Sequence, residues 1–414
     1  MIQEYINRHF YYLAIFALVF GVIFYDTLNL TFTDEICALY ALVLYFFYIY
    51  HTPNWRISKL FLAVIGIFLF YLAYSFIIHS NVPSAIVMDF IIQLKPYLGF
   101  FCIFAIAPEL NKKRRLIIQL LCIVFAVYLF ILGLVALTDK MFLYHFMGHP
   151  SRFATAVSIV ALLYLYVSEY SFKDKLIFIC MLLIGLISGR SKFYGFFIIS
   201  IFCVFFFTKG FKLKFSWKSL FIMAAMAIIV FFAVKNKIYT YFVIGDMSLG
   251  KGQTDLLARL ALYYYSLDVF RDFIPFGSGF ASYATFASGE YYSPLYSQYG
   301  IDMIWGLSKD YHPFVTDTYY PALAEFGIVG VVLFFSFWFS ILMKIIKWQT
   351  KVPDMKSFSM ALIIVFFFLI ECTTDATITH NRGLFLMMLL GLILSHFKKE
   401  VSDVELKNDT DNGI

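Results

Sequence analysis

Charged residues are scarce in this chain, and their shortage excludes a soluble globular protein. Only 14% of the 414 residues are charged, whereas 62% are hydrophobic and the mean hydropathy is +0.82. Soluble domains carry about 25% charged residues. The hydrophobic runs are continuous over about 17 to 25 residues, which suits helices that cross a bilayer and lacks the alternation of a membrane β-barrel. The sequence therefore predicts an all-α polytopic membrane protein with no nucleic-acid partner.

Cysteine is also rare, and its placement argues against a metal site. The six cysteines are scattered through apolar segments without the spacing of metal ligands, so we expect them to be small packing residues. The sequence shows neither an internal repeat nor a separate soluble domain. The first apolar run, residues 9–25, ends at Asp26 without a small-residue cleavage site, so no cleavable signal sequence is expected.

Hydrophobic segments make up most of the chain. Twelve of them are candidate spans: residues 9–25, 35–52, 58–78, 84–107, 115–137, 152–170, 174–189, 193–208, 218–235, 316–343, 356–374 and 382–397. We expect residues 1–400 to form one integral membrane domain with about twelve transmembrane helices. A large loop, residues 236–315, is inserted between the ninth and tenth spans, and residues 401–414 are expected to be a disordered cytoplasmic tail.

Lysine and arginine are concentrated in alternate loops, and this fixes the expected orientation. The basic loops lie near residues 56–59, 112–115, 173–175, 209–218, 344–356 and 398–399. Because cytoplasmic loops carry an excess of Lys and Arg, these loops and both termini are predicted to be cytoplasmic. The intervening loops, which contain Asp26, Asp139, residues 236–315 and Asp375, are predicted to lie outside.

The predicted outer loop contains an amphipathic helix that begins near Thr254 and ends before Pro275. Arg259 and Tyr263 lie on one face of this helix. Asp255 is four residues before Arg259, so an ion pair within the helix is one interpretation of this arginine. Beyond the helix, Gly277 and Gly279 permit a tight backbone.

Four arginines on the predicted outer side oppose the usual charge bias. They are Arg152, Arg190, Arg259 and Arg382. One interpretation is snorkelling to the interface or a salt bridge. The other is an anionic ligand at the outer face, and a diphosphate suits guanidinium groups because they bind phosphate oxygens through two parallel hydrogen bonds. Such arginines would also stabilise negative charge on a departing phosphate.

Three motifs follow one another in the second half of the chain. They are SGRSKFYGFFIISIF at 188–202, the R-x-x-x-Y of 259–263 followed by PFGSGFASY at 275–283, and TDTYYPALAEFGIVGVVLFF at 316–335. In this order they resemble the O-antigen ligase and Wzy-type O-antigen polymerase superfamily over roughly residues 150 to 345. The resemblance implies a fold similar to GT-C glycosyltransferases and a glycan taken from undecaprenyl diphosphate at the periplasmic face of the bacterial inner membrane.

The resemblance also implies site residues. Arg190 and Arg259 match arginines that contact the lipid diphosphate, and Arg152 is a less close match. Ligases carry a His-Asn pair eleven and ten residues before the first Gly of the GIVG-like turn, and here Thr316 and Asp317 occupy those positions. The missing histidine favours a polymerase and leaves two candidate bases, Asp317 and His312. His312 would lie one helical turn upstream of Asp317 if the tenth span begins early.

These observations predict a lipid-linked repeat-unit polymerase that makes O-antigen or a related surface polysaccharide. Its donor and acceptor would both be undecaprenyl-diphosphate-linked oligosaccharides, and a chain-length regulator protein is left open. No cofactor, metal or ATP is expected, because the sugar–diphosphate bond is already activated and no aspartate pair resembles a divalent-metal motif. Tyr263, Tyr264, Tyr319 and Tyr320 are candidates for packing on sugar faces, or for interfacial anchors.

Three alternatives stay open at this point. The first is an O-antigen ligase that transfers finished glycan to lipid A-core. The second is a flippase or transporter of lipid-linked oligosaccharide, for which the Lys95-Pro96 break in the fourth span, with Asp89 nearby, is the supporting feature. The third is a scaffold subunit of the polysaccharide machinery, in which no single arginine would be essential.

Overall fold

The computed structural model describes residues 2–52, 59–139, 141–208, 212–213, 217, 221, 224 and 254–411, with the backbone alone for 208, 212–213, 254–257 and 407–411. The described helices are α1 (Ile2–Phe16), α2 (Thr33–His51), α3 (Lys59–Ile78), α4 (Pro83–Ile106), α5 (Lys112–Thr138), α6 (Phe142–Met147), α7 (Pro150–Val167), α8 (Phe172–Gly185), α9 (Ser191–Phe205), α10 (Thr254–Asp272), α11 (Phe286–Glu290), α12 (Pro294–Gln298), α13 (Gly327–Lys351), α14 (Met355–Glu371) and α15 (Asn381–Asp411). A π-helix (Ala17–Ile23) continues α1, and 3₁₀ turns cover Leu186–Ser188, Ile301–Met303, Pro321–Phe326 and Thr377–Thr379. Two short antiparallel strands, β1 (Phe207–Thr208) and β2 (Lys212–Leu213), follow α9.

The all-α polytopic architecture predicted from the sequence is confirmed. Within the described part of the chain, seven helical segments are long and apolar enough to cross a membrane: Ile2–Ile23, Thr33–His51, Lys59–Ile78, Pro83–Ile106, Lys112–Thr138, Pro150–Val167 and Pro321–Lys351. The helices α8, α9, α14 and α15 occupy four further predicted spans. The ninth predicted span, 218–235, falls largely outside the described residues, so the count of twelve stays a prediction.

The tenth span begins later than its hydrophobicity suggests. Residues 316–320 precede the helix, Pro321–Phe326 forms a 3₁₀ turn, and the α-helix α13 begins only at Gly327, whose φ is +60°. Proline fits the start of a helical turn because it lacks a backbone N–H, and glycine alone adopts this positive φ without steric cost. The predicted start at residue 316 is therefore wrong, and Asp317 lies in a turn.

Helices α4, α7 and α15 occupy the centre of the bundle. Every residue of α7 except Arg152 is buried, and α4 packs against α2, α3 and α15. The close approach of α4 and α15 depends on small residues, because a Cβ at Gly391 would collide with the carbonyl of Phe100. Five of the six cysteines are buried and all six are free, as expected of packing residues.

Polar contacts divide the loops between the two ends of the bundle. At one end the contacts are Asp26–Arg152, Asp26–Arg382, Lys192–Asp375, Ser80–Phe280 and Asn81–Ala281. At the other end they are Arg114–Glu4, Lys399–Glu109, Lys351–Glu405 and Lys356–Ser168. This division matches the predicted outer and inner loops, although the end that faces the periplasm stays a prediction. The last helix, α15, continues to Asp411, through part of the tail for which the sequence predicts disorder.

The described part of the large loop forms a small folded unit on the first of these ends. Its core includes Ala258 and Leu262 of α10 together with Tyr283, Tyr296 and Leu307. The helix predicted to begin near Thr254 is observed as α10, Thr254–Asp272. Its buried face carries Ala258, Leu262 and Val269, whereas the apolar residues Leu260, Tyr264 and Leu267 are exposed. The hydroxyl of Ser80 and the amide of Asn81, between α3 and α4, donate to the carbonyls of Phe280 and Ala281 at 2.8 and 2.7 Å. These bonds fasten the loop to the bundle.

Two of the sequence motifs interlock through their backbones. Gly279 N donates to Glu325 O at 2.8 Å, and Val329 N donates to Pro275 O at 3.3 Å. Gly277 and Gly279 have φ values of +83° and +82°, as the tight backbone predicted there requires. A Cβ on Gly277 would overlap the backbone of Glu325. The PFGSGF and AEFG segments are therefore one structural unit.

Candidate active site

Arg259 and Asp317 form an ion pair at the surface of the loop unit. The guanidinium Nη2 of Arg259 lies 2.7 Å from Oδ2 of Asp317, and the two side chains are 21% and 23% exposed. Helix α10 supplies Arg259, and a turn closed by Asp317 N donating to Phe314 O at 3.1 Å supplies Asp317. The structure therefore brings an arginine that is predicted to bind the diphosphate into contact with a carboxylate that is predicted to be the base. The side chain of Asp255, the other partner considered for Arg259, lies outside the described residues.

The turn after α14 holds both elements of this pair. Cys372 O accepts hydrogen bonds from the backbone N–H groups of Tyr319 and Tyr320, at 3.1 and 3.2 Å. Thr373 O accepts one from the hydroxyl of Tyr263, one turn after Arg259, at 2.8 Å. Burial raises the pKa of Tyr263 to about 12, so this hydroxyl stays protonated and can donate.

A buried lysine joins this same turn to α9. Lys192 Nζ lies 2.6 Å from Glu371 Oε2 and 2.9 Å from Asp375 Oδ2, and the lysine side chain is only 10% exposed. Burial alone would raise the pKa of Asp375, but Lys192 and then His380 hold it below its usual range. One cation therefore contacts two carboxyl groups and ties the segment 371–375 to α9.

Arg190 lies beside this lysine and contacts a neutral partner. Its Nη2 is 2.6 Å from Nε2 of His149 and 3.2 Å from the hydroxyl of Tyr144. Burial, with Arg190 next, lowers the pKa of His149 to about 3, so the imidazole is uncharged at neutral pH. Both contacts are uncharged, so neither of them compensates the positive charge of Arg190. A cation in this state suits an anionic ligand.

Arg152, the third arginine predicted to bind the diphosphate, shares the carboxylate of Asp26 with Arg382. Asp26 places Oδ1 2.5 Å from Arg152 Nη1 and Oδ2 2.8 Å from Arg382 Nη2. Arg382 is 3% exposed, whereas Arg152 is 43% exposed. Burial, and then Arg152, lower the pKa of the neighbouring His380 to about 4. For these two arginines the salt-bridge interpretation is confirmed, and Arg152 keeps an exposed edge.

His312, the second candidate base, makes different contacts. Its Nδ1 lies 3.1 Å from Lys309 O, and its ring is 5.8 Å from the ring of Tyr292. Because the helix does not begin at residue 316, His312 is not one turn upstream of Asp317, which removes the geometric reason for pairing them. Asp317 is the candidate base that the structure brings to an arginine.

The tyrosines proposed to contact sugars differ in exposure. Tyr319 is 4% exposed, and its hydroxyl donates to Gln93 Oε1 at 3.0 Å. Tyr320 donates to Leu369 O at 2.8 Å. Tyr264 is 66% exposed on α10, and Tyr263 is half-buried beside the ion pair. Contact with glycan stays a prediction for all four, and Tyr319 has the least free surface to offer.

A second carboxyl cluster fixes the loop on α4. Glu325 Oε1 accepts from the backbone N–H groups of Ser282 and Tyr283, each at 2.8 Å, and Asp89 Oδ2 accepts from Ala281 N at 2.8 Å. The carboxyl groups of Asp89 and Glu325 are close enough to interact, and neither residue has exposed surface.

Most of the residues that organise this site were not predicted as site residues from the sequence. They are Asp26, His149, Lys192, Glu325, Glu371 and Asp375. A weak signal was present, because Glu371 and Asp375 stand four residues apart where an apolar segment ends and Lys192 follows Arg190 by two positions. Such charges are common at the ends of spans, so their mutual contact needed the fold.

Comparison with known protein families gives a match to this part of the chain. The sequence model of the O-antigen ligase family matches residues 175–335. No curated protein matches the chain. The matched range includes Arg190, Lys192, Arg259, Asp317 and the two interlocked motifs. The chain is thus a multi-pass membrane protein whose residues 175–335 are similar to the O-antigen ligase family. This similarity supports the O-antigen ligase and polymerase superfamily and a glycosyltransferase-like role in surface polysaccharide biosynthesis.

Proposed function

We propose that the protein polymerises undecaprenyl-diphosphate-linked oligosaccharide repeat units at the periplasmic face of the bacterial inner membrane. The observation that carries this proposal is the contact between Arg259 and Asp317, beside the segment 371–375 that also binds Lys192. It combines a cation for a diphosphate with a carboxylate that can accept a proton. Both termini would then be cytoplasmic.

The reaction needs a leaving group and an activated hydroxyl. The acceptor hydroxyl gives its proton to the carboxylate of Asp317, and its oxygen bonds to the anomeric carbon of the donor glycan. The bond from that carbon to the diphosphate oxygen breaks, and the electron pair leaves with the diphosphate. Arg259 and Arg190 stabilise the negative charge that grows on the leaving diphosphate. Stabilisation of such charge by hydrogen-bond donors that are already in position is usually the largest contribution to lowering the activation barrier.

A polymerase is favoured over a ligase by the residues before α13. Thr316 and Asp317 stand where the resemblance places the His-Asn pair of ligases. With no imidazole at that position, proton transfer would fall to Asp317. A ligase remains the alternative within the same superfamily, with lipid A-core as its acceptor.

One observation favours a transporter as a second candidate. Lys95 of α4 is buried and contacts Asp34 and Glu35 of α2, with Glu35 Oε1 at 2.7 Å. Charged residues inside membrane helices often mark a translocation path. Helix α4, however, continues through Pro96 to Ile106, so the break expected in that span is absent. Loss of transport in Lys95→Met, with polymerisation of externally supplied substrate intact, would support this candidate.

The deciding measurement is a gel of surface polysaccharide from a strain that lacks the gene. A polymerase predicts core carrying a single repeat unit and no ladder. Bare core, with long glycan still on its lipid carrier, would instead identify a ligase. Bare core, with unpolymerised repeat units still on the lipid carrier at the cytoplasmic face, would identify a transporter.

Complementation tests the site itself. Arg259→Ala should restore no ladder at normal protein level, because the ion pair with Asp317 and the diphosphate contact are both lost. Arg271→Ala is the matched control, since Arg271 is on the same helix and 76% exposed, with Asp268 and Asp272 as neighbours at 3.5 and 3.4 Å. A normal ladder from Arg259→Ala would remove this arginine from the mechanism.

A further inference from the structure

In this structure the side chains of Arg259 and Asp317 are paired with each other. Each has a role in the proposed reaction that the other now blocks: the guanidinium should hold a diphosphate, and the carboxylate should accept a proton. Their contact of 2.7 Å is a charge-assisted hydrogen bond. Because about a fifth of each side chain is exposed, a ligand can reach the pair from solvent.

Arg259 has bonding capacity beyond this contact. Its Nε is buried and has no hydrogen-bond partner within the described residues. A guanidinium carries five N–H donors in a planar fork that fits phosphate oxygens. A diphosphate offers more negative charge and more acceptor oxygens than one carboxylate, so it competes with Asp317 for this fork.

The surroundings allow such an exchange without moving the helix. Tyr263, one turn after Arg259, is tied to Thr373 O, and Tyr319 N is tied to Cys372 O. Both backbones are therefore held by the same turn, so the exchange requires movement of the Arg259 and Asp317 side chains and not of the backbone.

We propose that Asp317 gates Arg259: the diphosphate of the lipid substrate displaces the carboxylate from the guanidinium, and the displaced carboxylate then serves as the proton acceptor. This inference rests on the proposed function. The base becomes available only after the donor diphosphate is bound, so an acceptor hydroxyl is not deprotonated at an empty donor site. Proton, bond and electron-pair movements are those of the transfer step above.

The test is a comparison of diphosphate affinities. Farnesyl diphosphate is titrated into the detergent-solubilised full-length protein by calorimetry, for the wild type, Asp317→Asn and Asp302→Asn. Asp317→Asn should bind about fivefold more tightly, because a partly exposed ion pair no longer competes for the guanidinium. Asp302→Asn is the matched control, because Asp302 is an acid of the same loop that accepts from Ser297 Oγ at 2.6 Å. Its affinity should equal that of the wild type.

The outcomes separate this inference from the polymerase proposal. Unchanged or weaker binding by Asp317→Asn, with Asp302→Asn normal, would overturn the gate. Tighter binding by Asp317→Asn in a protein whose deletion leaves the ladder intact would keep the gate and remove the polymerase function. Equal tightening in both variants would point to general electrostatics of the loop and would also overturn the gate.

Discussion

Replacing Lys192 by Met should destabilise the protein in a way that depends on pH. The lysine is the cation between Glu371 and Asp375, which are 4% and 20% exposed. Removing one partner of a buried ion pair costs about 3 to 5 kcal/mol, because the remaining charge is desolvated without compensation. We expect a loss at the lower end of this range at pH 7.5, since Asp375 keeps some contact with water.

The direction of the pH effect follows from Asp375. In the wild type its pKa is depressed, so the unfolded state binds more protons and this carboxyl stabilises the fold above its unfolded pKa of about 3.9. That contribution is lost as pH falls through the folded pKa. In Lys192→Met the cation that most lowers the pKa of Asp375 is gone, so burial raises the pKa of this carboxyl group. The carboxyl then stabilises the fold at low pH and destabilises it as pH rises.

The assay is thermal unfolding in detergent, followed between pH 5 and pH 8 for both proteins. The difference in unfolding temperature between the wild type and Lys192→Met should become smaller toward pH 5. Lys192→Met with Asp375→Asn should recover part of the stability at pH 8 and show less pH dependence. A gap that is constant across this range would refute the account, because it would mean that the methionine acts through packing alone.

Two further substitutions test other parts of the site. Gly277→Ala should lower the free energy of unfolding by about 4 kcal/mol or more and prevent accumulation of folded protein, because its φ is +83° and a Cβ there meets the backbone of Glu325. The control Gly300→Ala, at φ +68° in open space, should lower it by only about 1 to 2 kcal/mol. Equal losses of stability in unfolding assays would contradict the interlock of the two motifs. Asp26→Asn should cost about 3 kcal/mol, because Arg382 is 3% exposed and loses its carboxylate; an unchanged unfolding temperature would show that this arginine is hydrated.

The sequence predicted those features that depend on local periodicity and charge. Hydrophobic run lengths predicted most of the described spans, and helical spacing predicted α10 with Arg259 and Tyr263 on one face. The alternation of basic loops predicted which loops share an end of the bundle. These patterns need no knowledge of distant residues.

Features that depend on distant contacts were not predictable. Arg259 had an acidic neighbour four residues away, and only the fold brings Asp317, 58 positions along the chain, to its guanidinium. The start of α13 was misplaced because residues 318–326 are apolar enough to resemble a span, while Pro321 and the positive φ of Gly327 delay the α-helix. The contact of Lys192 with Glu371 joins the ends of two spans that hydropathy treats as independent.

The bond from the loop to Asp89 has a consequence for the order of biosynthesis. Asp89 lies in α4, and its backbone donor, Ala281, follows 192 residues later. The ribosome therefore delivers α4 to the membrane well before the segment that satisfies its carboxyl group exists. An acidic residue near the end of a span costs less to insert than one at its centre, and Asp89 is only the seventh residue of α4. A chain truncated before residue 277 should thus insert α4 and yet leave it a target for membrane quality control.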